Sequence, residues 1–204
     1  RAGLEVRGRS VTLRVNYRMT EQIRRVAEEI IAGKVDCDEP TARSISLLAG
    51  TEPEIVVARG VNDEVQRVAE WLKKLVANGY RPGQVAVFAR KRDIIQNRVY
   101  AAVKAAGLEA FNLEADEAPP ANRVAVGTMH RSKGLQFRAI AVMGVEEGTV
   151  PLDSVRSRQP DEAAQRAFVE MERNLLYVAC SRARERLLLT GVGKASEFVP
   201  AKQR

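Results

Sequence analysis

Two segments of the chain place hydroxyl, imidazole and cationic side chains close together. Residues 128–137 read Thr-Met-His-Arg-Ser-Lys-Gly-Leu-Gln-Phe directly after a short apolar stretch, and residues 172–184 carry two arginines near a predicted helix end. A third segment, Asn16-Tyr17-Arg18, sets an aromatic ring beside another arginine. Hydrogen-bond donors and cations at strand and helix ends are groups that bind phosphate. The three segments therefore predict a phosphate site.

A basic turn is a further candidate for phosphate binding. Arg90, Lys91 and Arg92 follow an apolar stretch and precede a predicted helix start, where backbone amides and cations converge. The alternative interpretation is a solvated basic turn. His130 is the sole histidine, and no second metal ligand accompanies it at a suitable spacing, so the sequence predicts no metal site.

Composition limits the class of protein. The chain has 204 residues, 45% of them hydrophobic, and a net charge of +7, which predicts one folded domain compatible with an anionic partner. Cys37 and Cys180 match no metal or redox spacing and are expected to be buried, reduced thiols. No apolar run approaches the length of a membrane span, and no signal peptide opens the chain. We therefore expect a cytoplasmic protein with no membrane partner and no obligate oligomer.

Strand and helix patterns alternate along most of the chain. Apolar stretches predict strands, and helices are expected to follow the caps Thr20, Asn62, Asp93 and Asp161. The predicted strands cover residues 11–15, 54–58, 84–89, 109–113, 123–127, 139–145 and 186–191. This alternation is typical of an α/β domain whose parallel sheet is covered on both faces. Residues 114–122 are acidic, contain two prolines and are expected to form a surface loop.

Two features of nucleotide hydrolases are missing from the sequence. The phosphate-wrapping pattern Gly-x-x-x-x-Gly-Lys-Ser/Thr does not occur, and no Asp-Glu pair ends an apolar strand to hold magnesium. This chain alone is therefore not expected to hydrolyse a nucleoside triphosphate by the usual P-loop chemistry.

The order of the segments resembles the second RecA-like domain of superfamily 1 DNA helicases of the UvrD/Rep/PcrA type. Residues 16–18 resemble helicase motif IV, residues 128–137 resemble motif V, and residues 172–184 resemble motif VI. The resemblance implies a RecA-like three-layer α/β sandwich with a mainly parallel sheet, a P-loop NTPase-like fold without the P-loop. It also implies that residues 1–204 form a single lobe. The short loop at 114–122 stands where well-known relatives carry a large accessory domain.

The resemblance assigns five residues to ATP, whose phosphates and Mg²⁺ are held by an N-terminal RecA-like lobe outside this sequence. Arg18 and Arg182 would reach the γ-phosphate as arginine fingers. Tyr17 would stack on adenine, with packing in the core or at a hinge as its alternative. Gln136 stands where the family usually carries glutamate, and its carbonyl retains the ability to accept from the ribose. Gly134 would let the backbone turn where a side chain would collide.

Other residues would contact the nucleic acid. Thr128 and His130 match family positions that touch single-stranded DNA or a junction between duplex and single strand, and the basic turn at 90–92 would bind its backbone. Lys133 would serve either the strand or the nucleotide.

The predicted function is the C-terminal motor lobe of an ATP-dependent DNA helicase that translocates 3′ to 5′. The alternative is a non-catalytic RecA-like module that binds nucleic acid or docks a partner.

Overall fold

The main sheet runs parallel throughout. The computed structural model describes residues 15–16, 18–32, 45–113 and 119–200. Across these residues, six strands lie in the order β3-β8-β7-β4-β6-β5, and every pairing is parallel. They are β3 Glu54–Ala58, β4 Val85–Ala89, β5 Glu109–Asn112, β6 Arg123–Thr128, β7 Phe137–Met143 and β8 Ala183–Val192. A separate parallel pair joins β1 Val15–Asn16 to β2 Ile45–Ser46.

Helices connect the strands. They are α1 Glu21–Ala32, α2 Val61–Ala77, α3 Arg92–Ile94, α4 Tyr100–Ala105, α5 Asp153–Arg156 and α6 Glu162–Cys180. A π-helical turn, Ile95–Val99, joins α3 directly to α4, and short 3₁₀ turns occupy Pro82–Gln84 and Met129–Ser132. A single π-helical turn inside a helix often marks a constrained position.

Two apolar cores lie on the two faces of the sheet. Phe88 and Ile140 pack with α1 and α6 on one face, where Ile23, Ile30 and Leu176 are fully buried. On the opposite face, the strand side chains that point the other way pack against α2 and the α3–α4 helix. The buried residues of this second core include Val68, Leu72, Val87, Val99 and Ala141. Successive strand side chains point to opposite faces, so every inner strand must be apolar at consecutive positions. The predicted three-layer α/β architecture is confirmed.

The predicted helix starts differ in how they are capped. The Asp161 side chain accepts a 2.7 Å hydrogen bond from the Ala164 N–H, which confirms the cap of α6. Asn62 does not cap α2, because that helix begins after Gly60 without a side-chain cap. The Thr20 hydroxyl is buried without a hydrogen-bond partner among the described residues. Its backbone N–H instead donates to the Arg184 carbonyl over 3.0 Å, so Thr20 anchors α1 to the start of β8.

Because all six strands point the same way, the sheet has one edge formed by strand starts and one formed by strand ends. We call these the amino edge and the carboxyl edge. Loops at the carboxyl edge of an open α/β sheet are the usual place for ligands. Within the described residues, no helix is long and apolar enough to cross a membrane, and no cluster of acidic, histidine or cysteine side chains could hold a metal ion.

The cysteine prediction is confirmed where the structure describes it. Cys180 is a fully buried free thiol in α6, and burial raises its pKa to about 12. A thiol held in its protonated form is a poor nucleophile, which fits a packing role. Cys37 lies outside the described residues.

Candidate functional site

The residues predicted to contact nucleic acid come together at the carboxyl edge. Ala89, the last residue of β4, pairs with Thr128, the last residue of β6. The segments that follow the two strands are therefore neighbours. Together they line an open hollow of about 510 Å³, formed by Arg90, Lys91, Arg92, Thr128, His130 and Arg131. Five of these six residues were singled out from the sequence, from two segments far apart along the chain.

Arg90 forms part of the wall of the hollow through a forked ion pair. Its Nε lies 2.7 Å from Oε2 of Glu172, and its Nη2 lies 2.8 Å from Oε1 of the same carboxylate. Glu172 is fully buried in α6, whereas the Arg90 side chain is 15% exposed. A carboxylate buried to this degree requires such a partner. Most of the charge of Arg90 is thus compensated before any ligand arrives.

Three other cations face the hollow with less compensation. Lys91 Nζ lies 3.9 Å from Asp93, in a pair that solvent screens. Arg92 and Arg131 are exposed and form no ion pair within the described part of the chain. The sequence analysis missed Arg131. In the 3₁₀ turn that follows β6, Met129 and Ser132 point inward, so the eclipsed spacing of three residues turns Thr128 and Arg131 outward together.

The surroundings of His130 lower its pKa and so favour the neutral imidazole. Partial desolvation at the wall of the hollow lowers its pKa below the ordinary value of 6.5, the nearby Arg90 charge lowers it further, and Glu172 opposes part of the shift. A neutral imidazole can donate one hydrogen bond to a phosphate oxygen. Binding of an anion would also favour the protonated form.

Gln136 and Arg182, two of the residues predicted to contact the nucleotide, lie together at the opposite, amino edge. The Phe137 N–H donates to the Arg182 carbonyl over 3.0 Å, which sets the exposed Gln136 beside Arg182. The bond between Thr20 and Arg184 brings the exposed Arg18 to the same edge, with its Cα within about 20 Å of that of Arg182.

The Arg182 guanidinium is only partly engaged. Its Nε donates to the Val178 carbonyl of α6 over 3.2 Å, and its Nη groups form no hydrogen bond within the described residues. The side chain is half-buried, so these donors are both oriented and available. Tyr17 lies outside the described residues.

The connection from β6 to β7 links the two groups of candidate residues. Residues 129–136 leave the carboxyl edge after β6 and reach the amino edge at the start of β7. Within it, Lys133 and Gly134 are exposed, and Gly134 has φ +83°. A side chain at Gly134 would meet no atom, so its positive φ, not crowding, is what favours glycine. The described geometry leaves the role of Lys133 open between strand and nucleotide.

A buried ionic network beside the hollow was not predicted from the sequence. Glu64 of α2 is fully buried and accepts from the Gly144 N–H over 2.9 Å and from the Thr190 hydroxyl over 2.8 Å. Arg98, in the π-helical turn, donates to Glu64 over 3.0 Å and to both oxygens of Glu146 over 3.1 Å. The network fixes the loop after β7 at the carboxyl edge. The sequence feature that could have indicated this network is Glu64, an acidic residue on the apolar face of α2.

Comparison with known proteins finds similarity to DNA helicases over part of the chain. Residues 97–193 match the model of the UvrD-like helicase C-terminal domain. YjcD of Bacillus subtilis is 46% identical over 65 residues, 31% of this chain and 8% of that protein. ATP-dependent DNA helicase Rep of Buchnera aphidicola is 28% identical over 133 residues, 63% of this chain and 17% of that protein. The chain therefore spans less than a fifth of either relative.

A solved structure shows the same fold. The C-terminal domain of a possible DNA helicase from Lactobacillus plantarum superposes with a TM-score of 0.64 at 23% identity, covering 92% of this chain and 96% of that chain. The UvrD-like match contains the 128–136 connection, Arg98 and Arg182, whereas Arg18 and the basic turn at 90–92 precede it. Both edges of the sheet therefore include residues from within the UvrD-like match.

Proposed function

We propose that this chain is the C-terminal motor lobe of an ATP-dependent DNA helicase or translocase. In this proposal residues 1–204 form a single lobe, the second RecA-like one. The short segment 114–122, of which residues 114–118 lie outside the described residues, takes the place of an accessory domain. The observation that carries the proposal is the division of the candidate residues between two edges of one sheet. A basic hollow lies at the carboxyl edge, and an available arginine lies at the amino edge.

The amino edge fits a nucleoside triphosphate. Arg182 offers oriented guanidinium donors with no other partner within the described residues, and Gln136 beside it offers an exposed carbonyl for the ribose. An N-terminal lobe of the same polypeptide would hold the phosphates and Mg²⁺, since this sequence contains no P-loop pattern. A guanidinium that stabilises charge on the transferred phosphoryl group accelerates hydrolysis by about 10³–10⁵ in nucleotide hydrolases.

The carboxyl edge fits the sugar–phosphate backbone of single-stranded DNA. Cations supply most of the affinity for such a strand. Lys91, Arg92 and Arg131 can each approach a phosphate, and Thr128 and His130 add directional hydrogen bonds. The lobe would close on ATP and reopen after hydrolysis, so that it would bind the strand tightly and weakly in turn. The family resemblance gives a 3′ to 5′ direction of translocation.

The test is ATP hydrolysis by the full-length protein with and without single-stranded DNA. We expect DNA to stimulate hydrolysis, Arg182→Ala to reduce turnover at least about 10³-fold, and ATP binding to survive in that variant. Arg166→Ala is the matched control, because Arg166 is a largely exposed arginine in the first turns of α6. Normal turnover by Arg182→Ala would contradict the assignment. A wild-type protein that binds DNA but hydrolyses no ATP would establish the non-catalytic module instead.

A further inference from the structure

We propose that Glu172 is a positioning residue that makes strand binding at the hollow and nucleotide hydrolysis at the amino edge depend on each other, acting through Arg90 and helix α6. The inference rests on the proposed function, because it requires a strand at one edge and a nucleotide at the other. Glu172 itself touches neither ligand.

The first step is the contact between Glu172 and the hollow. Arg90 and Glu172 are 82 residues apart, and three donor–acceptor distances of 2.7 to 3.0 Å join them. Arg90 lines the hollow, and its Nη1 has no hydrogen-bond partner in the described part of the chain. A phosphate bound in the hollow would therefore share this guanidinium with Glu172. Two anions that share one cation compete for it, so strand binding must alter the force that Arg90 exerts on Glu172.

The second step is the path along α6. From Glu172 to Cys180, the last residue of the helix, the rise is about 12 Å. The helix is packed tightly over this length, since Leu176, Ala179 and Cys180 have no exposed surface. A close-packed helix moves as a unit, so a displacement at Glu172 reaches the helix end.

The third step is the contact between α6 and the arginine finger. Arg182 Nε donates to the Val178 carbonyl, so the helix itself orients this side chain. Movement of α6 then changes where the Nη groups of Arg182 point. The chain of contacts runs from the strand to Arg90, Glu172, α6 and finally Arg182. Reciprocity is required thermodynamically for the two binding steps: if the strand changes the affinity for the nucleotide by some factor, the nucleotide must change the affinity for the strand by the same factor.

The experiment measures this factor in the full-length protein. The dissociation constant of a single-stranded oligonucleotide is determined with and without a non-hydrolysable ATP analogue, and ATP hydrolysis is measured with and without the oligonucleotide. In the wild type we expect the analogue to change strand affinity by about 5-fold or more, the lower end of typical coupling factors. In Glu172→Gln, which keeps the side-chain shape but removes the charge, we expect this factor and the stimulation by DNA to fall close to one. Glu172→Asp, which retains the charge, should restore part of both.

The control is Glu170→Gln. Glu170 is about half exposed on the same helix and pairs at 3.5 Å with Arg173, away from the hollow. This variant should keep the wild-type factor. A folded Glu172→Gln protein with the wild-type factor overturns the inference and leaves the proposed function standing. If Glu172→Gln does not fold, by circular dichroism, Glu172→Asp decides the question: a factor between one and the wild-type value supports the inference, and the wild-type factor overturns it. A wild type without any strand-dependent hydrolysis overturns the proposed function itself.

Discussion

The backbone N–H of Phe137 donates to the carbonyl oxygen of Arg182 over 3.0 Å, so the starts of β7 and β8 lie side by side at the amino edge. The bond falls one residue after Gln136, at the arginine proposed to act on the γ-phosphate. Gln136 and Arg182 belong to different segments of the sequence, and this backbone contact makes them parts of one surface. The ribose and the phosphates of one nucleotide could be contacted from these two positions.

Gln136 should therefore affect nucleotide binding more than turnover. Loss of one hydrogen bond to the ribose weakens binding by about 0.5–1.5 kcal/mol, which corresponds to about a 2- to 10-fold increase in KM for ATP. We expect this increase for Gln136→Ala in the full-length protein, with kcat little changed, in steady-state ATPase assays. Gln136→Glu should lower KM, because an ionised acceptor forms a stronger hydrogen bond. Gln165→Ala, in the first turns of α6, is the control; an unchanged KM in Gln136→Ala would contradict the ribose contact.

Much of the fold could be predicted from the sequence because hydrophobic periodicity is a local property. The strand at Glu54–Ala58 was predicted with its observed bounds, and the parallel arrangement followed from the alternation of strands with helices. Helix starts were less predictable, since Asn62 and Asp161 are both good capping residues and only Asp161 accepts a backbone N–H. Whether a cap forms depends on the direction from which the chain enters the helix.

The candidate site was predictable in its parts but not in its partners. The hollow at 90–92 and 128–131 follows from strand ends that the sequence marks. The pairing of Arg90 with Glu172 depends on where α6 crosses the sheet, which no local pattern specifies. The Glu64–Arg98 contact likewise depends on how α2 packs against the π-helical turn. Long-range ion pairs of this kind appear only when the strand order is known.

Arg131 should contribute one phosphate contact. For single strands, each phosphate neutralised by a cation contributes about −0.7 to the slope of log affinity against log salt concentration. Fluorescence anisotropy of a labelled single-stranded oligonucleotide, titrated between about 50 and 200 mM salt, gives this slope. We expect the slope of Arg131→Ala to be shallower than that of the wild type by about 0.7. Lys104→Ala removes an exposed cation near the end of α4, outside the hollow, and should leave the slope as it is. Equal slopes for both variants would exclude Arg131 from the strand-binding surface.

The buried network should be important for stability. Arg98→Ala leaves the fully buried Glu64 carboxylate without its cation, and breaking a buried pair in this way costs about 3–5 kcal/mol. Arg67→Ala is the comparison, because Arg67 pairs with Asp63 on the exposed side of the same α2 helix, where such pairs contribute about 0–1 kcal/mol. Urea unfolding of the 204-residue chain, followed by circular dichroism, measures both free energies of unfolding. Similar losses in the two variants would mean that the network does not stabilise the fold as its burial indicates.

His130 should make both stability and strand binding depend on pH. Folding lowers its pKa below 6.5, so below that pH the unfolded chain binds a proton that the folded chain resists. Its contribution to stability is therefore fully favourable above the ordinary pKa and declines as pH falls through the window beneath it. A bound phosphate has the opposite effect, because its charge stabilises the imidazolium against the surrounding cations Arg90, Lys91, Arg92 and Arg131.

Strand binding should accordingly take up a proton at His130, and affinity should rise as pH falls below about 6.5, by at most about tenfold per pH unit. The comparison variant is His130→Asn, which has no titratable side chain at position 130. Glu172, which also faces the imidazole, is present in both proteins. We expect His130→Asn to bind the oligonucleotide with little pH dependence over the same range. Because His130 is the sole histidine of the chain, its imidazole gives a single Hε1 signal in nuclear magnetic resonance spectra, from which the pKa can be read with and without the oligonucleotide. A pKa that does not rise when the strand binds would place the phosphate backbone away from His130.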